Sequence, residues 1–206
     1  RLCMAARGLA ALQYAPWLAS QPMRAWALSP MGQGCERYIS YVLPMPDHDT
    51  AGLAAKVLTV SDGVVHGTRE DRSGVVLAEL LTAHGYNVVE QRVVADGIEN
   101  VSQALIEMSD GFAGAVITTG GTGFGPRDLT PEGTRLVIER EAPGIAEAMR
   151  LVNPLGRLSR AIAGTRGTTL IVNSPGSPKG TVETITAVID VIPHAVRLMT
   201  AAPTDH

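Results

Sequence analysis

Two segments of this 206-residue chain concentrate the residue types that can hold an anion through the backbone. The first is Thr118-Thr119-Gly120-Gly121-Thr122-Gly123-Phe124-Gly125, whose glycines permit positive φ and let successive N–H groups converge on one negative ligand. The second, Asn173-Ser174-Pro175-Gly176-Ser177-Pro178-Lys179-Gly180, adds hydroxyls, a fixed bend and one cation that can bind phosphate as a point charge. Neither ends in the GKS or GKT of a Walker A loop, and neither has the GxGxxG spacing of a dinucleotide fingerprint. A glycine turn after a strand is more often a tight connection than a ligand cradle, so the flanking residues have to decide.

Both segments need strands to aim them, and the surrounding pattern supplies these. From Lys56 the chain alternates strand and helix signals. Val57-Leu58-Thr59-Val60 is a short β-branched run of the kind buried in a parallel sheet. Val76, Leu77, Leu80 and Leu81 recur at helical spacing after a Ser73 cap, and Gly85 stops that helix. A strand is predicted at 88–94, and a helix capped by Asn100 carries Val101, Leu105 and Met108. The next strand, 113–119, runs into Gly120. Thr130-Pro131-Glu132 starts a helix expected to reach about Arg140, because proline suits the first helical position and acids favour the positive dipole end. Pro143-Gly144 breaks it, a shorter helix extends through Met149, and a strand at 168–172 leads into the second glycine loop. The final helix begins near Thr181 with Val182, Ile185, Val188, Ile189 and Ile192 on one broad face, and Pro193 bends or restarts it. This alternation predicts a three-layer α/β/α domain with a mostly parallel central sheet. In such sheets ligands sit outside the carboxyl ends of the strands, so the two loops can share one cleft.

The domain is expected over 51–206. Residues 1–50 read as an extension and linker, since the first 49 hold both tryptophans, both cysteines, four of the seven methionines and no lysine, without sustained periodicity. A net charge of −3 without any basic stripe argues against nucleic acid as a partner. Cys3 and Cys35 both precede the regular region, which excludes a disulfide framework there and suits a reducing, cytoplasmic setting. No run approaches the ~20 apolar residues needed to cross a bilayer, so no membrane span is expected. His66, His84 and His194 lack zinc spacing and read as structural or solvated.

The residues around the first loop are more specific than the loop itself. TTGGTG followed by Pro126-Arg127-Asp128-Leu129-Thr130-Pro131-Glu132 resembles the signature of the MogA/MoaB family, the molybdopterin-binding fold also found in gephyrin-type proteins. Ser61-Asp62, Asp71-Arg72-Ser73-Gly74, Val94-Ala95-Asp96, Leu158-Ser159-Arg160 and Pro175-Gly176-Ser177-Pro178 match as well, so the likeness covers about Lys56 to Met199. One position departs: Ser174 stands where the family usually has an apolar residue, often leucine, so local packing and pocket polarity are expected to differ.

The resemblance implies a molybdopterin adenylyltransferase acting in molybdenum cofactor biosynthesis. The terminal phosphate of the pterin would attack the α-phosphate of ATP with Mg²⁺ present, releasing pyrophosphate. Such chemistry needs charge neutralisation more than a covalent nucleophile. Asp96 and Asp128 match the family's two functional aspartates and are assigned to Mg²⁺ and reactant alignment, Mg²⁺ being a hard cation that prefers oxygen ligands. The plainer reading makes Asp96 a turn residue beside Gly97 and Asp128 a helix cap. Substrate contacts are expected from Thr119, Gly120, Gly121, Thr122 and Gly123, from Ser61 and Asp62, from Ser159 and Arg160, and from Ser174, Pro175, Gly176, Ser177 and Lys179. Asp62 could instead cap its loop, and Arg127 could reach phosphate or stay an exposed loop cation. A second reading is a MoaB-type molybdopterin-binding protein with a carriage, assembly or regulatory role. The resemblance implies a homo-oligomer, trimeric for the MogA-like branch and often hexameric for the other.

Overall fold

A computed structural model describes residues 52–200. The expected extension at 1–50 therefore lies outside the described residues. Six strands form one sheet in the order β2-β1-β3-β6-β5-β4, with β1 Ala54–Val60, β2 Asn87–Val94, β3 Gly114–Thr119, β4 Arg140–Glu141, β5 Ala163–Arg166 and β6 Thr169–Ser174. The first four strands in that order pair parallel, and β5 and β4 add antiparallel at one edge.

Alternate strand residues face opposite ways and build two separate cores, which is why helices cover both sides. Val57, Ile117, Leu170 and Val172 pack with Leu77 and Leu81 of α2 (Arg72–Ala83), Met149 of α5 (Pro143–Leu151), Ile185 of α6 (Pro178–Thr186) and Val196 of α7 (Ile192–Met199). Leu58, Val60, Val116 and Ile171 face the other way, onto Val101, Leu105 and Met108 of α3 (Ile98–Ser109). Two short helices, α1 (Asp62–Val65) and α4 (Thr130–Arg135), follow the tips of β1 and the first glycine loop. The architecture is the expected three-layer α/β/α arrangement with a mostly parallel sheet.

The sequence-based expectations differ from this structure at several ends. The cap of α2 is Asp71, whose Oδ1 accepts from the Gly74 N–H at 2.8 Å, and the N-cap of α3 is Gly97. The helix from Thr130 stops at Arg135, well short of Arg140. Its continuation is diverted because the N–H groups of Glu139 and Ala142 donate to Thr165 O and Ala163 O of β5. Strand β5, which turns at Gly167 into β6, carries alanine and glycine where strands favour β-branched residues, so it has almost no sequence signal. Pro193 restarts the last helix rather than bending it.

Register matters most for function. Thr59 pairs with Thr119 and Thr119 with Ser174, while Val60 pairs with Val94. The segments leaving β1, β2, β3 and β6 therefore emerge side by side at the carboxyl edge of the sheet.

Candidate functional site

The two glycine loops touch each other. Gly120 donates its N–H to Ser174 O at 3.2 Å, and the Thr119 hydroxyl donates to Pro175 O at 2.8 Å. A Cβ added to Gly176 would meet the Gly120 Cα at 3.0 Å. Around this junction lies a cleft of ≈ 920 Å³, within the size range of small-molecule sites.

The structure brings most of the predicted residues to this cleft. Its lining includes Ser61 from the tip of β1 and Asp96 from beyond β2. Gly120, Gly121, Thr122, Gly123 and Asp128 come from the first loop, and Pro175, Gly176, Ser177 and Lys179 from the second. Ser159 joins them from the segment after the 3-10 turn Pro154–Leu158. Among the described residues, the N–H groups of Gly121, Thr122 and Gly123 have no acceptor within the protein. The N-terminal residues of α6 also line the cleft, with Ser177 as the cap accepting from Gly180 N–H, which adds the positive end of a helix dipole.

Four predicted residues stand elsewhere. Thr119 and Ser174 are fully buried behind the cleft wall. The Ser174 hydroxyl donates to Thr118 O at 2.8 Å, so the polar residue at this position is satisfied inside the sheet and does not change the lining. Arg160 braces the back of the first loop: its guanidinium donates to Gly123 O at 2.7 Å, to Asp128 O and to Glu132. Asp62 is held by Arg127 through Nε at 2.8 Å and Nη2 at 2.9 Å. That guanidinium, by hydrogen bonding, keeps the Asp62 carboxyl below the usual carboxylate range. Arg127 is thus committed to an aspartate, not turned to the cleft.

The two predicted functional aspartates flank the first loop. Asp96 Oδ2 accepts from the Asp62 N–H at 2.8 Å, and its Oδ1 lies 3.3 Å from where a Gly121 Cβ would be. Asp128 Oδ2 accepts from the Gly125 N–H at 2.7 Å. Among the described residues, the Oδ1 of each carboxylate accepts no hydrogen bond. No cluster of three or more acidic, histidine or cysteine side chains that could hold a metal exists among the described residues. A pair of carboxylates at the cleft wall nonetheless fits Mg²⁺, which binds through one or two carboxylates plus substrate phosphates rather than in an all-protein cage.

Sequence reading missed the opposite wall. Leu155 and Leu158 line the cleft although they are 74% and 57% exposed. Their turn is pinned by Asn153, whose Oδ1 accepts from Gly156 N–H at 3.0 Å and whose Nδ2 donates to Glu183 at 2.8 Å. Arg69 and Glu70 also line the cleft, as does Asp71, which accepts from the Thr59 hydroxyl at 2.7 Å. The Asn153-Pro154 turn and the Lys179–Glu183 spacing are the sequence signals that could have pointed here.

The Ser174 geometry has a measurable consequence. Ser174→Ala leaves Thr118 O without this donor in a buried place and is expected to cost about 1 kcal/mol. For a domain of this size that lowers the thermal midpoint by roughly 2–4 °C. Thermal unfolding followed by circular dichroism reads it directly; an unchanged midpoint with weakened ligand binding would mean that the hydroxyl serves the cleft instead.

The chain is similar to known proteins over most of its described length. Residues 56–194 match the family described as "Probable molybdopterin binding domain". A molybdopterin adenylyltransferase of Helicobacter pylori is 40% identical over 150 residues, covering 69% of this chain and 85% of its own. The molybdopterin adenylyltransferase of Escherichia coli is 36% identical over 141 residues, covering 65% of this chain and 72% of its own. Among solved structures, the molybdopterin biosynthesis enzyme MoaB of Thermus thermophilus superposes with a TM-score of 0.70 at 42% identity, covering 74% of this chain and 99% of that one. With the family match running from residue 56 to residue 194, the chain belongs to the molybdopterin-binding domain family.

Proposed function

We propose that this protein is a molybdopterin adenylyltransferase of molybdenum cofactor biosynthesis. The observation that carries the proposal is the junction of the two glycine loops with Asp96 and Asp128 in one cleft. In the reaction a terminal phosphate oxygen of molybdopterin forms a bond to the α-phosphorus of ATP, and the bond to pyrophosphate breaks.

The residues divide this work between walls. Unpaired amides at Gly121 to Gly123 and the start of α6 hold phosphate oxygens, which costs no reorganisation because the loop is already locked. The exposed Leu155 and Leu158 side chains offer an apolar face to a flat heterocycle. Arg160 keeps the back of the loop rigid by occupying its outward carbonyls. Five carboxylates against three cations line the cleft, so a polyanionic substrate pair would be repelled without added positive charge. Mg²⁺ supplies that charge when bound, and Asp96 and Asp128 are the residues that would hold it.

The decisive test is mass spectrometry of molybdopterin incubated with the protein, ATP and Mg²⁺. An AMP-linked pterin, absent when ATP or Mg²⁺ is omitted, is the expected product. Pterin binding without that product would point to the MoaB-type carrier reading instead. We place the reaction in the cytoplasm and in a homo-oligomer, trimer or hexamer, which native mass spectrometry would distinguish. Among the described residues no helix is long and apolar enough to cross a membrane.

A further inference from the structure

Three strand-tip segments are knotted together beside the cleft. The Asp62 N–H donates to Asp96 Oδ2 at 2.8 Å, and the Asp96 N–H returns the bond to Asp62 Oδ1 at 3.1 Å. Each aspartate's carboxylate thus fixes the other's backbone. Arg127 closes the knot from the tail of the first glycine loop. Its Nε and Nη2 clamp both Asp62 oxygens, and the same Nη2 donates to Asp96 O at 2.8 Å.

The chemistry of the three partners points away from stability as the reason for this arrangement. Arg127 and Asp62 side chains are 61% and 33% exposed, and exposed ion pairs contribute little to folding. What the clamp does is geometric. It ties the loop that carries Asp128 to the one that carries Asp96, and it leaves Asp96 with one oxygen anchored and the other facing Gly121. A planar fork with several donors can bridge a carboxylate and a carbonyl at once, which a lysine cannot reproduce.

We infer that Arg127 is a positioning residue that acts through Asp62 to hold the Asp96 carboxylate against the first glycine loop, in register with Asp128. This rests on the adenylyltransferase reading for its kinetic consequence and on geometry alone for its structural one. Misplacement of an aligning group by about an ångström costs on the order of a hundredfold in rate.

Arg127→Ala and Asp62→Asn test it. The asparagine keeps an acceptor for the Asp96 N–H and removes the anion that Arg127 clamps. In Arg127→Ala, amide hydrogen exchange at Asp62 and Asp96 is expected to accelerate by about tenfold or more while the thermal midpoint stays nearly unchanged. Turnover should fall roughly ten- to a hundredfold with KM for ATP and pterin changed less than about twofold. The double variant should be no more than about twofold worse than Asp62→Asn alone, because both changes break one device. A raised KM with unchanged turnover would make Arg127 a phosphate contact and overturn the inference. So would multiplicative losses in the double variant, or unchanged exchange at both amides. If the unmutated protein forms no AMP-linked pterin, the functional proposal fails and the exchange measurement alone decides the role of Arg127.

Discussion

Asp128→Asn is expected to lower the rate of pterin adenylylation by on the order of 10²- to 10³-fold while leaving pterin binding within about twofold of the unmutated protein. Asparagine keeps an oxygen for the Gly125 N–H, which Asp128 Oδ2 accepts at 2.7 Å, so the loop stays closed and only the charge is lost. The backbone carbonyl that Arg160 grips is also untouched. Asp96→Asn should behave in the same way, since its amide oxygen can still receive the Asp62 N–H. The two losses are not expected to multiply, because groups that serve a single aligned state act as a unit. Rapid-quench measurement of AMP-linked pterin, combined with pterin titration by fluorescence, separates turnover from binding. Loss of binding in either variant would assign these carboxylates to ligand recognition instead, and full activity would remove them from the reaction.

The architecture was legible where one physical signal dominated. Fully buried parallel strands read as short apolar runs, and the runs at Val57 and Ala113 to Thr119 stand out for that reason. The glycine loops and the two aspartates were legible through their motif. What stayed hidden was side-chain direction. Every residue of β3 and β6 is buried, because helices cover both faces. Alternation therefore carries no information there, and nothing local distinguishes an inward Thr119 or Ser174 from one facing the cleft. Arg160 misled for a different reason: it was expected to contact substrate, but three acceptors from the glycine loop and helix start consume its guanidinium. The leucine wall was invisible because Leu155 and Leu158 look like ordinary apolar residues until the turn around Asn153 leaves them uncovered.

Gly120→Ala is expected to be the most damaging single methyl group that can be added near the cleft. Gly120 has φ 104°, a conformation that side chains rarely adopt, and its added Cβ would stand 2.2 Å from Val60 O. That oxygen belongs to the backbone at the tip of β1, which is held between β2 and β3 and cannot retreat. Backbone strain of this kind costs about 1–3 kcal/mol, and overpacking against an immobile neighbour typically adds about 1–3 more. Against a domain stability of roughly 5–15 kcal/mol, the sum predicts a thermal midpoint lowered by about 10 °C or more, or protein that fails to accumulate. Gly167→Ala is the control that separates the two costs. Gly167 has φ 54° but meets nothing within 4 Å, so it should lose only the left-handed penalty of about 1–2 kcal/mol. If the two variants melt at the same temperature, the Val60 carbonyl does not limit the space at Gly120, and the left-handed backbone alone sets the cost there.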